Sequence, residues 1–218
     1  MAEHARLELK TAKGTPLQHK YYKQHNDPGG LLITLPGNHY GVDGPLLYYP
    51  SLLLRDAGWD TLAITYGFQS EGLEFSPEYL PDVIQECVSA IQSILQGRDY
   101  PRMGLAGKSL GAFIIAQLCT MTTTLNAARL VLLTPPLEMP FFTQLIPQIA
   151  QPMHMVIGTE DRFYSEDALQ ELSSIQELSV TIVEGADHSM NVTGDLDASI
   201  EALRQATSEV VRFLLALE

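Results

Sequence analysis

The sequence predicts an α/β fold with a mainly parallel, doubly wound sheet and helices on both faces. Two observations support this prediction. Short apolar runs bounded by Gly or Pro alternate along the chain with longer segments whose apolar residues recur at helical spacing. Several of the short runs are apolar at every position, which is typical of strands that helices cover on both faces.

The predicted strands begin with two segments on either side of a Lys-Gly-Thr turn, at 7–11 and 17–23. Six further runs follow, at 31–35, 61–66, 103–106, 130–133, 153–157 and 178–183. Parallel strands place their carboxyl ends at one edge of the sheet, and ligand sites of open α/β sheets lie at that edge. Chemistry is therefore expected in the loops that directly follow these strands.

The predicted helices separate the strands. Ser76 and Pro77 mark one helix start, because serine is a good N-cap and proline fits the first helical position. The helical patterns cover 46–56, 76–97, 112–121, 141–150, 166–172 and 195–217. Segment 134–152 holds only one short pattern, which leaves no room for a large lid. We therefore expect residues 1–218 to form a single domain without a cap.

Composition and charge exclude several classes of protein. The 218 residues contain 13 Lys and Arg against 26 Asp and Glu, and 45% are hydrophobic. This apolar content supports one substantial core and excludes general disorder. The acidic excess argues against nucleic-acid and anionic-membrane partners. The N-terminus shows no signal-peptide pattern, and no run approaches the roughly 18 apolar residues of a membrane span.

The cysteines give a second indication of the compartment. Cys87 and Cys119 show neither metal-ligand spacing nor a CxxC motif, and both lie in apolar helical patterns. Two buried free thiols suit a reducing compartment. We therefore expect a cytoplasmic protein without a metal or other cofactor. The oligomeric state is not predicted.

The first chemical motif follows the strand at 103–106. The segment Gly107-Lys108-Ser109-Leu110-Gly111 fits the pattern G-x-S-x-G, and a helical pattern follows at once. In this pattern a sharp strand-to-helix turn strains the backbone and exposes the serine hydroxyl, so small neighbours are needed. The helix N-terminus also directs N–H groups toward developing negative charge. Ser109 is therefore a candidate nucleophile.

The same residues admit a rival interpretation as the end of a phosphate-binding P-loop, G-x-x-x-x-G-K-[ST]. That motif requires glycine five positions before Gly107, where this chain has Arg102. Gly104 lies only three positions before Gly107, which makes the loop too short to surround phosphates. The nucleotide-binding interpretation is therefore disfavoured.

A serine nucleophile needs a base, and the base needs an orienting carboxylate. Asp161 follows the strand at 153–157, and His188 follows the strand at 178–183. The order Ser, Asp, His is the one this architecture requires. Glu160 and Glu138 remain alternatives for the acid, and Asp187 is expected to be a turn residue beside His188.

These residues resemble the α/β-hydrolase family, in particular its small, cap-less, esterase-like and dienelactone-hydrolase-like members. The resemblance rests on the elbow at 107–111, on segments 158–161 and 185–188, and on the loop 35–41 after an early strand. It implies that the backbone N–H groups of Asn38 and Leu110 form an oxyanion hole. Pro36 stands where the family commonly has histidine. The loop at 66–72 also resembles a family loop, but it receives no role.

The resemblance implies a serine hydrolase that cleaves an ester or thioester of a small to medium acyl group. A small-molecule acyl substrate is then the expected partner. Two alternatives stay open: a non-catalytic binding protein with the same fold, and an amidase or acyltransferase that uses the same serine. The candidates for the substrate pocket are loop residues at the active edge: His39, Tyr40, Phe68, Phe141, Phe142 and Phe163. Aromatic residues in such loops also commonly pack the loops onto the core.

Overall fold

The computed structural model describes residues 2–216. Eight strands, numbered β1 to β8 in chain order, form one sheet in the order β1-β2-β4-β3-β5-β6-β7-β8. Strands β3 to β8 run parallel to one another, whereas β1 and β2 are antiparallel at one edge. The strands are Glu3–Ala5, Lys20–Lys23, Leu31–Leu35, Asp60–Ala63, Met103–Lys108, Ala128–Leu133, Met153–Gly158 and Leu178–Val183. The predicted mainly parallel sheet is confirmed.

Helices cover both faces of this sheet, as predicted. Helices α1 to α7 are Pro45–Asp56, Gly67–Ser70, Leu80–Leu95, Leu110–Met121, Pro140–Thr143, Glu166–Leu172 and Leu196–Leu215. Strand β3 shows the two cores, because every one of its residues is buried. Leu32 packs into the core under α1 and α7, whereas Leu31 and Ile33 pack into the core under α3, α4 and α6.

The N-terminal edge differs from the prediction. The first strand is β1 at Glu3–Ala5, which pairs with β2, and not the segment 7–11. Within 7–11, Lys10 forms only an isolated bridge to Pro16. Alternating leucines predicted a strand in 7–11, but at a sheet edge the available hydrogen-bonding partner decides which segment pairs.

Two predicted helices also begin or continue differently. Segment 77–79 forms a 3₁₀ turn, and α3 begins only at Leu80. Ser76 makes no side-chain capping bond to this turn. The predicted helix at 141–150 is wrong: the segment forms α5 and a separate 3₁₀ turn at Ile146–Gln148. Pro147 lies within this 3₁₀ turn and has no N–H, so the α-helical hydrogen bond from residue 147 to the Thr143 carbonyl cannot form.

The connections place the candidate residues at one edge. The carboxyl ends of β3, β5, β7 and β8 lead into the loops that carry the candidate site. Between β6 and β7 the chain forms only α5 and one 3₁₀ turn, so no cap covers this edge. Cys87 and Cys119 are both free thiols. Within residues 2–216, no helix combines the length and the apolar character that crossing a bilayer would require.

Candidate active site

Ser109 occupies the strained turn that the sequence predicts between β5 and α4. Its backbone has a positive φ of 54° with ψ −108°, a conformation that costs energy for a residue with a side chain. A Cβ atom on Gly107 would lie 2.7 Å from the Ala112 nitrogen, and one on Gly111 would lie 2.7 Å from the Leu35 carbonyl carbon. Glycine at both positions therefore lets the turn form.

The start of α4 directs backbone donors to the region of Ser109. The N–H groups of Ala112 and Phe113 donate to the Ser109 carbonyl at 3.0 and 3.2 Å. The helix begins at Leu110, whose amide has no preceding helical carbonyl to bind. Such free amides and the helix dipole stabilise negative charge. The elbow can therefore stabilise an anion that develops next to Ser109.

Asp161 and His188 lie in direct contact. The Nδ1 atom of His188 is 2.8 and 2.9 Å from the two carboxylate oxygens of Asp161. The Asp161 side chain is completely buried, and one of its oxygens also accepts the Phe163 N–H at 2.9 Å. A carboxylate at Nδ1 favours the tautomer with the proton on that nitrogen. This leaves Nε2 of His188 as the basic atom.

The other acids that the sequence leaves open lie elsewhere. Glu160 and Glu138 are both exposed, so neither shares the buried position of Asp161. Asp187 caps its own turn, because one carboxylate oxygen accepts the N–H groups of Ser189 at 2.7 Å and Asn191 at 2.9 Å. This geometry agrees with the expectation that Asp187 is a turn residue beside His188.

The loops that carry Asp161 and His188 are joined by backbone contacts. The Glu160 N–H donates to the Ala186 carbonyl at 3.0 Å, and the Gly185 N–H donates to the Thr159 hydroxyl at 2.8 Å. Gly158 packs directly against Ala186, where a Cβ atom would lie 2.6 Å from the carbonyl carbon. These contacts fix the separation between the carboxylate and the imidazole.

Phe163 connects the Asp–His pair to Ser109. Its ring packs edge to face against the His188 imidazole, with 5.1 Å between centroids. It also lines the same cleft as Ser109. Among residues 2–216, neither the Ser109 hydroxyl nor Nε2 of His188 makes a hydrogen bond. Such catalytic bonds are often long without substrate and tighten when it binds.

The loop at 66–72, to which the sequence assigned no role, binds the candidate oxyanion loop. The Tyr66 hydroxyl donates to the Pro36 carbonyl at 3.1 Å. The Gln69 side-chain amide donates to the Gly37 carbonyl at 2.9 Å and to the Asn38 carbonyl at 3.4 Å. Tyr66 and Gln69 are thus functional candidates that motif reading missed. The signal available was their position directly after a strand of the sheet.

Asn38 links this loop to the cleft. Its side-chain oxygen accepts the Phe75 N–H at 3.2 Å, and Phe75 lines the cleft beside Ser109. Gly37 uses its own N–H to bind the Tyr40 carbonyl at 2.9 Å. The loop is therefore ordered by contacts on both sides of Asn38, and its backbone packs against the elbow through Gly111 and Leu35.

The cleft at Ser109 has a volume of about 400 Å³. Segments from four parts of the chain line it: the approach to α3, the start of α4, the segment after β6 and the loop after β7. Apart from Ser109, the lining side chains are all apolar: Phe75, Pro77, Leu80, Leu110, Phe113, Pro136, Met139, Phe141 and Phe163. The volume falls in the range of small-molecule sites.

Two of the six candidate aromatic and histidine residues, Phe141 and Phe163, line this cleft. Phe142 does not, because it is fully buried in the core. Phe68 is also buried and lies behind the wall, with its ring centroid 5.6 Å from that of Phe75. Phe68 and Phe142 therefore pack in the core and do not line the cleft. The sequence alone does not distinguish a core aromatic from one that contacts substrate.

His39 and Tyr40 lie on the candidate oxyanion loop but not on the cleft wall. His39 is exposed, with its Nε2 atom 3.3 Å from the Asn38 side-chain nitrogen. The Tyr40 hydroxyl accepts the Leu46 N–H at 2.8 Å, which ties the loop to the start of α1. Residues 2–216 contain no group of three or more His, Cys, Asp or Glu placed to hold a metal ion.

Comparison with known proteins agrees with this architecture. A family model described as an alpha/beta hydrolase domain matches residues 51–215. No curated protein matches the chain in sequence. An alpha-beta serine hydrolase homologue from Coxiella burnetii is similar, with a TM-score of 0.74 and 15% identity over 99% of this chain and 97% of the other.

Two further solved structures have the same fold. A serine hydrolase without a lid from Xanthomonas campestris has a TM-score of 0.71 at 16% identity, over 99% of this chain and 97% of the other. A dienelactone hydrolase from Anabaena variabilis has a TM-score of 0.71 at 16% identity, over 98% of this chain and 99% of the other. Because the family model covers most of the sheet and all three loops with candidate Ser, Asp and His residues, the chain belongs to the alpha/beta hydrolase domain family.

Proposed function

We propose that the protein is a serine hydrolase that cleaves a carboxylic ester or thioester through an acyl-enzyme. Ser109 is the nucleophile, His188 the base and Asp161 the orienting acid. The observation that carries this proposal is the buried Asp161 carboxylate against Nδ1 of His188, at the same sheet edge as the strained Ser109. This set of roles is the one serine catalysis needs.

Acylation begins when the Ser109 oxygen attacks the substrate carbonyl carbon while Nε2 of His188 takes the hydroxyl proton. The carbonyl oxygen becomes an oxyanion, which the N–H groups of Asn38 and Leu110 bind. Loss of one such donor typically lowers the rate by about 10²–10³-fold. The bond to the alcohol or thiol then breaks, and His188 returns its proton to that leaving group.

Deacylation repeats the same proton transfers with water. His188 takes a proton from a water molecule, whose oxygen attacks the acyl carbon of the acyl-enzyme. The ester bond to Ser109 breaks, and the serine oxygen regains the proton from His188. The products are a carboxylic acid and an alcohol or thiol. Throughout, Asp161 stabilises the imidazolium and holds the ring in place.

A fluorophosphonate probe and a short ester such as methyl acetate test the proposal directly. The wild-type protein should react with the probe at Ser109 and hydrolyse the ester, and Ser109→Ala should do neither. Undiminished labelling or hydrolysis by Ser109→Ala would refute the role of Ser109. Adding an acceptor alcohol or amine distinguishes hydrolysis from acyl transfer, because a transferase would form the new ester or amide.

A further inference from the structure

The cleft beside Ser109 is lined almost entirely by apolar side chains. Among residues 2–216, Ser109 contributes the only polar side chain that lines it, and no charged residue of this range does so. Several of its aromatics are supported by other rings. Phe113 and Phe141 pack edge to face at 5.1 Å, and the buried Phe68 stands behind Phe75. The wall is therefore an ordered apolar surface with no partner for a charge.

Such a surface discriminates by charge. Burying an ionised carboxylate without a partner costs far more free energy than burying a methyl group of similar size returns. Each methylene moved from water into the cleft is instead favourable. A volume of about 400 Å³ leaves room for an acyl group larger than acetyl. The cleft is suited to an uncharged apolar group.

The relation of the cleft to the candidate catalytic groups indicates which part of a substrate it holds. Leu110, whose N–H would bind the oxyanion, lines the cleft together with Ser109. His188, which would protonate the leaving group, does not line it, and the Phe163 ring packs against its imidazole. The leaving group would therefore depart on the His188 side, with the acyl group in the cleft.

We propose that this cleft binds the acyl group of the substrate and selects an uncharged apolar acyl group over one that carries a carboxylate. This inference rests on the proposed function. Phe141 is the position through which the selection is easiest to change, because it lines the cleft and is 52% exposed. A polar residue there would place its side chain at the cleft without opening the core.

The test uses methyl esters that differ only in the acyl group. From acetate to hexanoate, kcat/KM should rise by about fourfold per added methylene, the factor that burial of one CH₂ supplies. Monomethyl adipate has the same six-carbon acyl chain ending in a carboxylate, and its kcat/KM should lie at least about 100-fold below that of methyl hexanoate. Lengthening the alcohol of an acetate ester should have little effect.

A matched pair of variants tests the position. Phe141→Arg should shift the ratio of kcat/KM values toward monomethyl adipate by about tenfold or more, because the guanidinium supplies a partner for the carboxylate. Tyr49→Arg is the control, since Tyr49 lies on α1 away from the cleft and is 45% exposed. This control should keep the wild-type ratio.

The outcomes separate this inference from the proposed function. If Ser109 hydrolyses methyl acetate but the rates are independent of acyl length, or favour the carboxylate, the acyl inference is wrong and the hydrolase remains. If no ester is hydrolysed, calorimetry with Ser109→Ala still decides the binding claim. Methyl hexanoate should then bind while monomethyl adipate does not; equal binding of both, or no binding of either, overturns the inference.

A separate observation concerns Lys108, next to the nucleophile. The residue is only 3% exposed, and its Nζ atom lies 5.0 Å from the centroid of the Tyr40 ring. Gly37 fits between the two side chains, because a Cβ atom there would lie 3.3 Å from Cδ of Lys108 and 3.2 Å from Cβ of Tyr40. The lysine therefore packs against the loop that carries Asn38.

We infer that the Lys108 ammonium is a positioning residue, which holds Tyr40 and through it the Gly37–Asn38 part of the candidate oxyanion loop. A cation over an aromatic face is attracted to it more strongly when both are removed from water. Neutralising the amine should therefore loosen the loop. This second inference also rests on the proposed function, because it concerns the Asn38 N–H.

The charge of Lys108 can be varied by pH. Burial lowers the pKa of Lys108 to about 8; the Asp161 and Asp187 carboxylates oppose this shift and the Arg162 guanidinium adds to it. Burial raises the pKa of Tyr40, so that ring stays neutral. Lys108 then loses its charge on the alkaline side of pH 8.

The experiment compares kcat/KM for a short ester between pH 7 and pH 10 in the wild-type protein and Lys108→Met. The variant should be about tenfold slower at pH 7, and this difference should vanish as pH rises through 8. Lys108→Arg keeps its charge over this whole range, so it should match the wild-type rate at pH 7 and show no loss of loop support as pH rises through 8. A ratio of one at pH 7, or a ratio that stays constant to pH 10, would overturn the inference.

A readout independent of turnover is hydrogen exchange. In Lys108→Met, the amides of residues 37–41 should exchange faster at pH 7 than in the wild-type protein, whereas amides of the neighbouring strand β6 should not change. Equal exchange in the loop would overturn the inference even if no ester is hydrolysed.

Discussion

Gly158 and Ala186 meet backbone to backbone at the ends of β7 and β8, where a Cβ atom on Gly158 would lie 2.6 Å from the Ala186 carbonyl carbon. Gly158→Ala should therefore push apart the loops that carry Asp161 and His188. We expect activity to fall by about 100-fold or more, because small displacements of catalytic groups are costly. Rates of ester hydrolysis and the unfolding midpoint measure the effect.

The control for this change is Gly97→Ala. The nearest atom to a Cβ on Gly97 is 3.6 Å away, which is ordinary van der Waals contact. Activity and stability should both stay near the wild-type values in the control. Full activity in Gly158→Ala would show that the contact with Ala186 does not set the separation of Asp161 and His188.

Gly111 supports the elbow in a similar way. A Cβ atom there would lie 2.7 Å from the Leu35 carbonyl carbon and 2.8 Å from the Pro36 carbonyl oxygen. Gly111→Ala should move the Ser109 turn or the candidate oxyanion loop and abolish fluorophosphonate labelling of the folded protein. Gly41→Ala is the matched control, since nothing lies within 4 Å of its Cβ position. Equal labelling of both variants would contradict this role of Gly111.

Asp161 and its neighbour Glu160 provide a further contrast. Asp161→Asn removes the charge that would stabilise the His188 imidazolium and favours the wrong tautomer, so kcat should fall by about 10⁴-fold. Exposed Glu160 should tolerate Glu160→Gln with little change. Steady-state kinetics at pH 7 measure both. A larger loss in Glu160→Gln than in Asp161→Asn would reassign the acid.

The sequence predicted the central strands and the Asp161–His188 contact because both depend on local rules. In β3 every residue is buried, and four of the five are apolar, which is typical of a strand covered on both faces. The strained turn at Ser109 needs glycine at 107 and 111, which leaves a readable pattern. Asp161 and His188 follow neighbouring parallel strands, so topology alone brings their loops to one edge.

Features that depend on three-dimensional partners were not predictable in this way. Gln69 binds the carbonyls of Gly37 and Asn38 across about thirty intervening residues. Its position after β4 places it at the active edge but does not indicate these partners. Phe141 lines the cleft while the adjacent Phe142 is buried, although both are phenylalanines in one short segment. Phe141 packs against the Phe113 ring of α4, a contact between separate parts of the chain that the local sequence does not show.

His19 predicts how stability depends on pH. Its Nδ1 atom accepts the Thr65 N–H at 3.1 Å, while Nε2 is buried and makes no hydrogen bond with the described residues. Burial lowers its pKa from 6.5 to about 4. Between these values the unfolded chain binds more protons than the folded one, so stability is full above pH 6.5 and is lost as pH falls toward 4.

At pH 4.5, the loss of unfolding free energy that His19 causes should be on the order of 2 kcal/mol relative to pH 7. His19→Asn keeps an acceptor for the Thr65 N–H but removes the titrating group. Urea unfolding at pH 7 and pH 4.5 should therefore show a smaller loss of stability on acidification in His19→Asn than in the wild-type protein. The control His25→Asn changes an exposed histidine. Between pH 7 and pH 4.5 it should lose as much stability as the wild-type protein. Equal losses of stability in His19→Asn and His25→Asn would show that burial of His19 does not cause the loss at acidic pH. A histidine makes the folded state less stable at acidic pH only if it stays neutral in the fold and becomes charged in the unfolded chain.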